Sequence, residues 1–411
     1  MTRDISGRSP LPGSLAWHIR SSRLTGDTTK LIALPFLAAG VGAVAWSGEP
    51  RLLPLAVLFS ALWALAPSRL GAIMVAAGYF LAASRGLPQG VVNFYGSGFG
   101  AGIALWFGAA ATFVLVHGIM WTARPGIAKA LRYGLAAILM SVPPFGIVGW
   151  AHPVTAAGVL FPGWGWWGLA AAAIGLLAMT TRIRLVLTPI LAGLWIWSIA
   201  TWTPPVPPNG WVGIDSHFGG ARDEFAGYAQ HLETIASVTA AARAGNAVVV
   251  LPEGAAGMWT STVRNLWRDR LAGLDVEVNA GAIVVDGRGY DNVMLGISSS
   301  GADVLYRERM PVPVSMWQPW RDLSGQSGGA HAHFFDNPIA TFGGRRLAPL
   351  ICYEQLLVWP VLQSLFYGPD VIVATGNGWW TADTTIVAIQ RASAIAWARL
   401  FNLPLVTAFN T

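Results

Sequence analysis

Two regimes of hydrophobic patterning divide the chain. From about residue 31 to residue 202, apolar residues run in stretches near the roughly 20 residues that a membrane-crossing helix requires. The stretches are 31–46, 52–66, 70–83, 101–121, 133–150, 156–179 and 185–202. They predict about seven spans, with Pro162 and Gly163 placed to break the sixth. From Trp211 onward the runs shorten. Strands are predicted at 212–214, 247–251, 282–285, 293–297, 347–351 and 371–374, and helices at 223–243, 266–274 and 386–400. Strands and helices in alternation predict a layered α/β domain. Between the two regimes, residues 204–208 read Pro-Pro-Val-Pro-Pro, which predicts a stiff extended linker. The expected organisation is a cytoplasmic segment 1–30, a multi-span transmembrane helical domain 31–203, a Pro-rich linker 204–210 and a second domain 211–411.

Composition supports the division. Of 411 residues, 54% are hydrophobic and 11% charged, and mean hydropathy is +0.51. A soluble enzyme carries roughly 25% charged residues, and a disordered chain needs low hydrophobicity, so both classes are set aside. Between Asp27 and Asp215 the only acid is Glu49, and the other seventeen of 20 acids lie at or after Asp215, apart from Asp4. The net charge of +6 does not point to nucleic acid, because no basic stripe interleaved with aromatics is present. Instead, Arg69, then Arg124, Lys129 and Arg132, then Arg182 and Arg184 fall in alternate loops, while the opposite loops hold Arg51 and Arg85. That asymmetry puts the N-terminus inside and, for seven spans, the second domain outside the cytoplasm. About thirty polar residues with Arg3, Arg8, Arg20 and Arg23 precede the first run, which excludes a cleavable signal peptide. Acid-free span centres argue against a proton-coupled transporter, and His117 reads as a packing histidine. One cysteine excludes an internal disulfide or a Cys-only zinc site.

Three strand ends in the second domain carry chemistry. Leu251-Pro252-Glu253-Gly254 sets a carboxylate beyond an apolar strand, where α/β sheets place their sites; a helix cap or turn acid is the plain alternative. Leu350-Ile351-Cys352-Tyr353-Glu354 sets the lone thiol on a strand-to-helix turn with a carboxylate two residues away. A buried structural cysteine is the alternative, and nucleophile plus base is the combination covalent catalysis needs. Ala374-Thr375-Gly376-Asn377-Gly378-Trp379-Trp380 adds an amide and two indoles, which a Gly-rich turn with aromatic packing would also explain.

In order, LPEG, LYRERMPVP, LICYE, TGNGWW and QRASAIAWARLFNLPLVTAFNT resemble the landmarks of the carbon–nitrogen hydrolase, or nitrilase, superfamily. The apolar half and the Cys-Tyr-Glu triplet are similar to its apolipoprotein N-acyltransferase branch, and to membrane relatives of that branch serving conjugal plasmid transfer. The resemblance implies an αββα sandwich over 211–411 and a Glu–Lys–Cys triad. Glu253 would be the general base, Cys352 the nucleophile forming a thioester, and Glu354 a second glutamate of the acyltransferase branch. It implies no cofactor and no metal. Membrane lipid, a phospholipid acyl donor or conjugation-apparatus proteins would be the partners, with no direct nucleic-acid binding.

The sequence departs from that pattern at the lysine. The family's Tyr-x-Lys reads Tyr306-Arg307-Glu308 here, and the chain's lysines are Lys30 and Lys129, both in the apolar half. An anion in place of a cation disfavours the thiolate and removes an oxyanion donor, a loss of about 10²–10³ in rate. Arg307 or Arg309 would be the substitute cation. Side-chain alternation aims both away from the face used by residue 308 unless a bulge re-aims one. Met316 stands near the place of a further glutamate of the acyltransferases. Relatives continue past the Asn-Thr segment with more strands, so a shortened sandwich is expected. His331 and His333, with Asp336 nearby, have the spacing of two ligands on one strand face, but their Gly-rich flanks favour a loop. Trp317, Trp320, Trp359, Trp379 and Trp380 are candidates for a lipid-facing entrance or for packing.

Overall fold

The computed structural model describes residues 13–96, 98–219 and 224–411; Arg3, Arg8 and residue 223, the expected start of a helix, lie outside the described residues. The first half is helical: α1 (Gly13–Ala45), α2 (Leu58–Leu65), α3 (Arg69–Ala83), α4 (Leu87–Tyr95), α5 (Phe99–Met120), α6 (Ile127–Leu139), α7 (Ala157–Leu160), α8 (Gly165–Met179) and α9 (Arg184–Ala200). Two stretches, Asp27–Ala45 and Phe99–Met120, are long and apolar enough to cross a bilayer. The pair α3 and α4, bent by 51°, makes a third if taken as one span. Of the other runs, 185–202 forms one continuous apolar helix, α9, of 17 residues, and the rest are interrupted. The run 52–66 begins as a 3-10 turn from Pro50 to Val57, the run 133–150 leaves the α-helix after Leu139, and 156–179 breaks around Pro162 and Gly163, the latter at φ +79°. Against the seven runs read from the sequence, two or three helices among the described residues reach spanning length, and Pro50–Leu65, Gly165–Met179 and Arg184–Ala200 are shorter apolar helices. Prolines without an N–H, at 54, 143, 144 and 162, interrupt the α-helical ladder inside otherwise apolar runs. His117 is buried in an aromatic cluster with Phe59 and Phe80, its Nδ1 2.8 Å from the Phe113 carbonyl.

The second half adds α10 (Glu224–Arg243), α11 (Ser261–Leu271), α12 (Pro319–Leu323), α13 (Val358–Leu365) and α14 (Ile386–Phe401) to two sheets. In the first, β1 (Trp211–Gly213), β2 (Val248–Val250) and β3 (Glu277–Val285) run parallel, and β4 (Tyr290–Ile297) and β5 (Ala302–Arg307) continue antiparallel. In the second, β6 (Ala340–Phe342) pairs antiparallel with β7 (Arg345–Ile351), followed by parallel β8 (Val371–Asn377) and β9 (Leu405–Asn410). The period of two in each strand sorts the core. Val248, Val250, Met294, Leu347, Ile351, Val371, Val373, Val406 and Ala408 meet between the sheets. Val249, Val278, Ala280, Val293 and Leu295 face a layer that includes Ile235 and Val238 of α10 and Trp267 and Leu271 of α11. Ala348, Leu350, Ile372 and Ala374 face α13 and α14. The result is helix, sheet, sheet, helix.

The two halves share a core. Val159, Leu160, Leu176 and Met179 of the helical half pack in one cluster with Leu357, Val361, Ala394, Ala396 and Leu400. A Cβ added at Gly158 would stand 1.7 Å from the Ala396 carbonyl oxygen, so α7 touches α14 backbone to backbone, an approach glycine allows. The Asn93 amide caps the carbonyls of Trp380 and Ala382 at 3.0 and 3.1 Å, and Tyr353 donates to the Ile147 carbonyl at 3.0 Å.

Candidate functional site

The three strand ends converge. Beyond β7, Cys352 opens a 3-10 turn at φ +45°, in the left-handed region where a non-glycine residue is strained, and is buried. Beyond β2, the Glu253 carboxylate faces the thiol. Gly281 of β3 makes room, since a Cβ there would meet the Glu253 Cα at 2.4 Å. Beyond β8, the Asn377 backbone N–H donates to Glu253 Oε2 at 2.9 Å and also lies against the sulfur. From α14, Gln390 Nε2 reaches Cys352 Sγ at 3.4 Å.

Glu308 stands on the same side. Its Oε2 accepts from Asn292 Nδ2 at 2.9 Å, and the same nitrogen donates to Glu253 Oε1 at 2.7 Å, so one amide bridges two carboxylates. Glu308 is almost fully buried, and its Oε1 has no hydrogen-bond partner among the described residues. Burial raises both acids, Glu253 to about 7 with a smaller push from Glu354, and Glu308 well above the ordinary range with further pushes from Glu253 and Glu354. The Cys352 thiol is pushed up by burial first, then by Glu253 and Glu308.

Neither arginine supplies the missing charge to the sulfur. Arg307 pairs with Asp291 on the outer side of β4. Arg309 is fully buried behind the turn, where Nε donates to the Tyr306 hydroxyl at 2.8 Å and the Nη atoms reach Gln363 and Ser364, each at 2.9 Å. Glu354 belongs to that framework. Its oxygens accept from the backbone N–H of Ile351, Arg309 and Met310 at 2.8, 2.8 and 3.2 Å and from the Tyr306 hydroxyl at 2.6 Å. Its lone pairs are committed to holding the turn, leaving Glu253 as the carboxylate that faces the thiol. Met316 bonds only through its backbone to Val312 and Ala330.

Asn292 joins the site without having been marked by the sequence, and Gln390 opens the QRASAIAWARLFNLPLVTAFNT segment without having been singled out in it. An amide inside an apolar strand and one on a small-residue helix were the available signals. His331 and His333 form separate pairs with Asp286 and Asp291 at 3.0 and 2.8 Å, and no metal-ligand cluster occurs among the described residues. Trp379 stacks on Phe94 of α4, Trp359 donates to the Phe334 carbonyl, Trp317 packs edge-on against Phe334, and Trp320 is exposed.

The arrangement brings together a thiol, a carboxyl and a backbone donor, with no cation beside the sulfur among the described residues. A family model described as carbon-nitrogen hydrolase matches residues 81–399. The chain is 55% identical over its full length to the full length of a protein named conjugal transfer protein TraB in Agrobacterium fabrum. It is 54% identical to a probable conjugal transfer protein TraB of Sinorhizobium fredii, over 90% of this chain and 96% of that one. Among solved structures, an amidase from Nesterenkonia sp. matches at 15% identity and a TM-score of 0.35, over 49% of this chain and 75% of that one. By the reach of the family model and the identity to its full-length relatives, the chain belongs to the carbon-nitrogen hydrolase family.

Proposed function

We propose that this chain is a multi-pass protein of a bacterial inner membrane that serves conjugal plasmid transfer. Its nitrilase-like sandwich, on the outer side of that membrane, acts as a scaffold for protein partners and its thiol centre is silent in acyl transfer. The full-length relatives named for conjugal transfer support the role. The apolar helices and the distribution of arginines support the location. The observation that carries the loss of catalysis is the set of groups around Cys352, where Glu253, Glu308, Asn292 and Gln390 gather with no cation among the described residues. A developing oxyanion there would meet a carboxyl at the position of the family's lysine. The test is mating efficiency with the plasmid-borne gene deleted and complemented. Complementation by Cys352→Ala should equal wild type, and a drop of several orders of magnitude would overturn the scaffold reading.

The strained backbone at Cys352 favours a second reading, because strain of this kind gathers at reactive residues. In it the sulfur attacks the ester carbonyl of a phospholipid acyl donor, its proton passes to Glu253, and the lipid alcohol leaves with that proton. An amine then attacks the thioester carbonyl and releases the sulfur, which regains a proton. Intact-mass analysis after incubation with phospholipid would show one acyl adduct on wild type and none on Cys352→Ala.

A further inference from the structure

On the opposite face of β4 from the thiol, a cavity of about 950 Å³ opens between the ends of β3, β4 and β5 and the loop 325–333. Val284, Asp286, Asp291 and Arg307 belong to the outer register of these strands or follow it, as alternation requires when Asn292 and Tyr306 face inward. The wall is made of charged and polar groups: Asp286, Arg288, Asp291, Arg307, His331, His333, Gln326 and Ser327.

The hydrogen-bond inventory of that wall is lopsided. Both carboxylates are occupied. Asp286 Oδ1 accepts from the backbone N–H of Arg288 and Gly289 at 2.7 and 2.8 Å, and its Oδ2 faces His331 Nε2 at 3.0 Å. Asp291 takes Arg307 through one oxygen and His333 Nε2, at 2.8 Å, through the other. The donors are in surplus. The Arg288 guanidinium is exposed and has no side-chain partner among the described residues, and Arg307 uses only Nη1. The side chains of Gln326 and Ser327 are likewise unengaged there. Gly325, Gly328 and Gly329, at φ +69°, +109° and +89°, let the loop fold tightly over the cavity. A wall whose two carboxylates are already engaged and which keeps two uncommitted guanidinium edges suits a ligand that offers acceptor oxygens and negative charge. The volume exceeds that of a bare oxyanion and matches an organic ligand.

We propose that this cavity binds a phosphate ester through Arg288 and Arg307, separately from the thiol centre. The test is isothermal titration of the full chain in nonionic detergent with inorganic phosphate and with glycerol phosphate at constant ionic strength, paired with binding of chain in nanodiscs to a fluorescent glycerol phosphate. The nanodiscs are made of phosphatidylcholine alone or with phosphatidylglycerol. One saturable site is expected for glycerol phosphate, weakened about tenfold in Arg288→Gln and in Arg307→Gln and unchanged in Arg264→Gln, an exposed arginine elsewhere. Competition of the fluorescent ester by phosphatidylglycerol discs would identify the ester as a lipid headgroup; competition only by the soluble ester would identify a free metabolite. Either supports the site. The Arg288 side chain has no hydrogen bond or ion pair to lose among the described residues, so equal binding by wild type and Arg288→Gln, or no saturable binding at all, would overturn it.

Discussion

At the scale of single residues, the centre is governed by which groups hold protons. Two carboxyl groups bridged by the Asn292 amide sit beside a thiol, and each negative charge makes the next harder to create. Because Cys352 is the chain's only cysteine, its alkylation rate reports this directly. Glu308→Lys should raise the iodoacetamide rate at pH 8 by about tenfold or more, since a cation favours thiolate, and Glu308→Gln should fall between. A slower reaction in Glu308→Lys would show that Glu308 does not act on the sulfur. Glu253 has a pH signature as well. Its carboxyl titrates at about 7 in the folded chain against an ordinary 4.5. Between those values the native state holds a proton that the unfolded chain has released, so this contribution to stability is lost as pH rises through the window. The melting temperature should fall from pH 5 to pH 7.5 more in wild type than in Glu253→Gln. Glu253 and Cys352 were legible because each follows an apolar strand directly. The orientation of Glu354 was not. Two steps along a 3-10 turn rotate a side chain by about 240°, which carries its carboxylate behind the sulfur and into the arginine framework.

At the scale of elements, Glu354 and Arg309 act as a clasp between β7, the end of β5 and α13. Glu354→Gln leaves a fully buried guanidinium without its counter-charge. Loss of one partner of a buried pair costs about 3–5 kcal/mol. Denaturant unfolding in detergent should show that loss, and adding Arg309→Met should return part of it; additive losses would mean the two are not coupled. The sandwich strands were readable from short apolar runs between turn residues. The strands β5, β6 and β9 were not among those expected; in β6, Ala340-Thr341-Phe342 has too few positions to display a period. In the helical half, hydrophobicity was readable and continuity was not. Composition shows that a run avoids water, while single prolines decide whether it is one helix or several short ones.

At the scale of the whole molecule, the helical half and the sandwich are built as one body through α13 and α14 rather than as beads on the proline linker. The linker itself carries no helix or strand from residue 203 to 208. The proposed orientation has a direct readout. In a Cys352→Ala background, Leu323→Cys places a single thiol at a position 91% exposed on the sandwich. A membrane-impermeant maleimide should label it in intact spheroplasts if the sandwich lies outside, and only after lysis if it lies inside. The extent of the apolar helical half was legible from the distribution of acids alone. Its contact with the sandwich was not, because a glycine that lets two backbones touch looks like any other glycine until the fold is known.

That contact has a further consequence for α14. One of its sides lies on the sheet, with Gln390 at the sulfur and Ser393 donating to the Gln355 carbonyl at 2.7 Å, and another receives α7 at Gly158. A helix on the skin of a protein tolerates drift in its outward residues; this one has little skin. In a saturation mutagenesis survey, alanines 392, 394, 396 and 398 should be as intolerant of enlargement as residues at the centre of a sheet. Substitutions that swell the membrane-side packing should be felt at the sulfur without touching it.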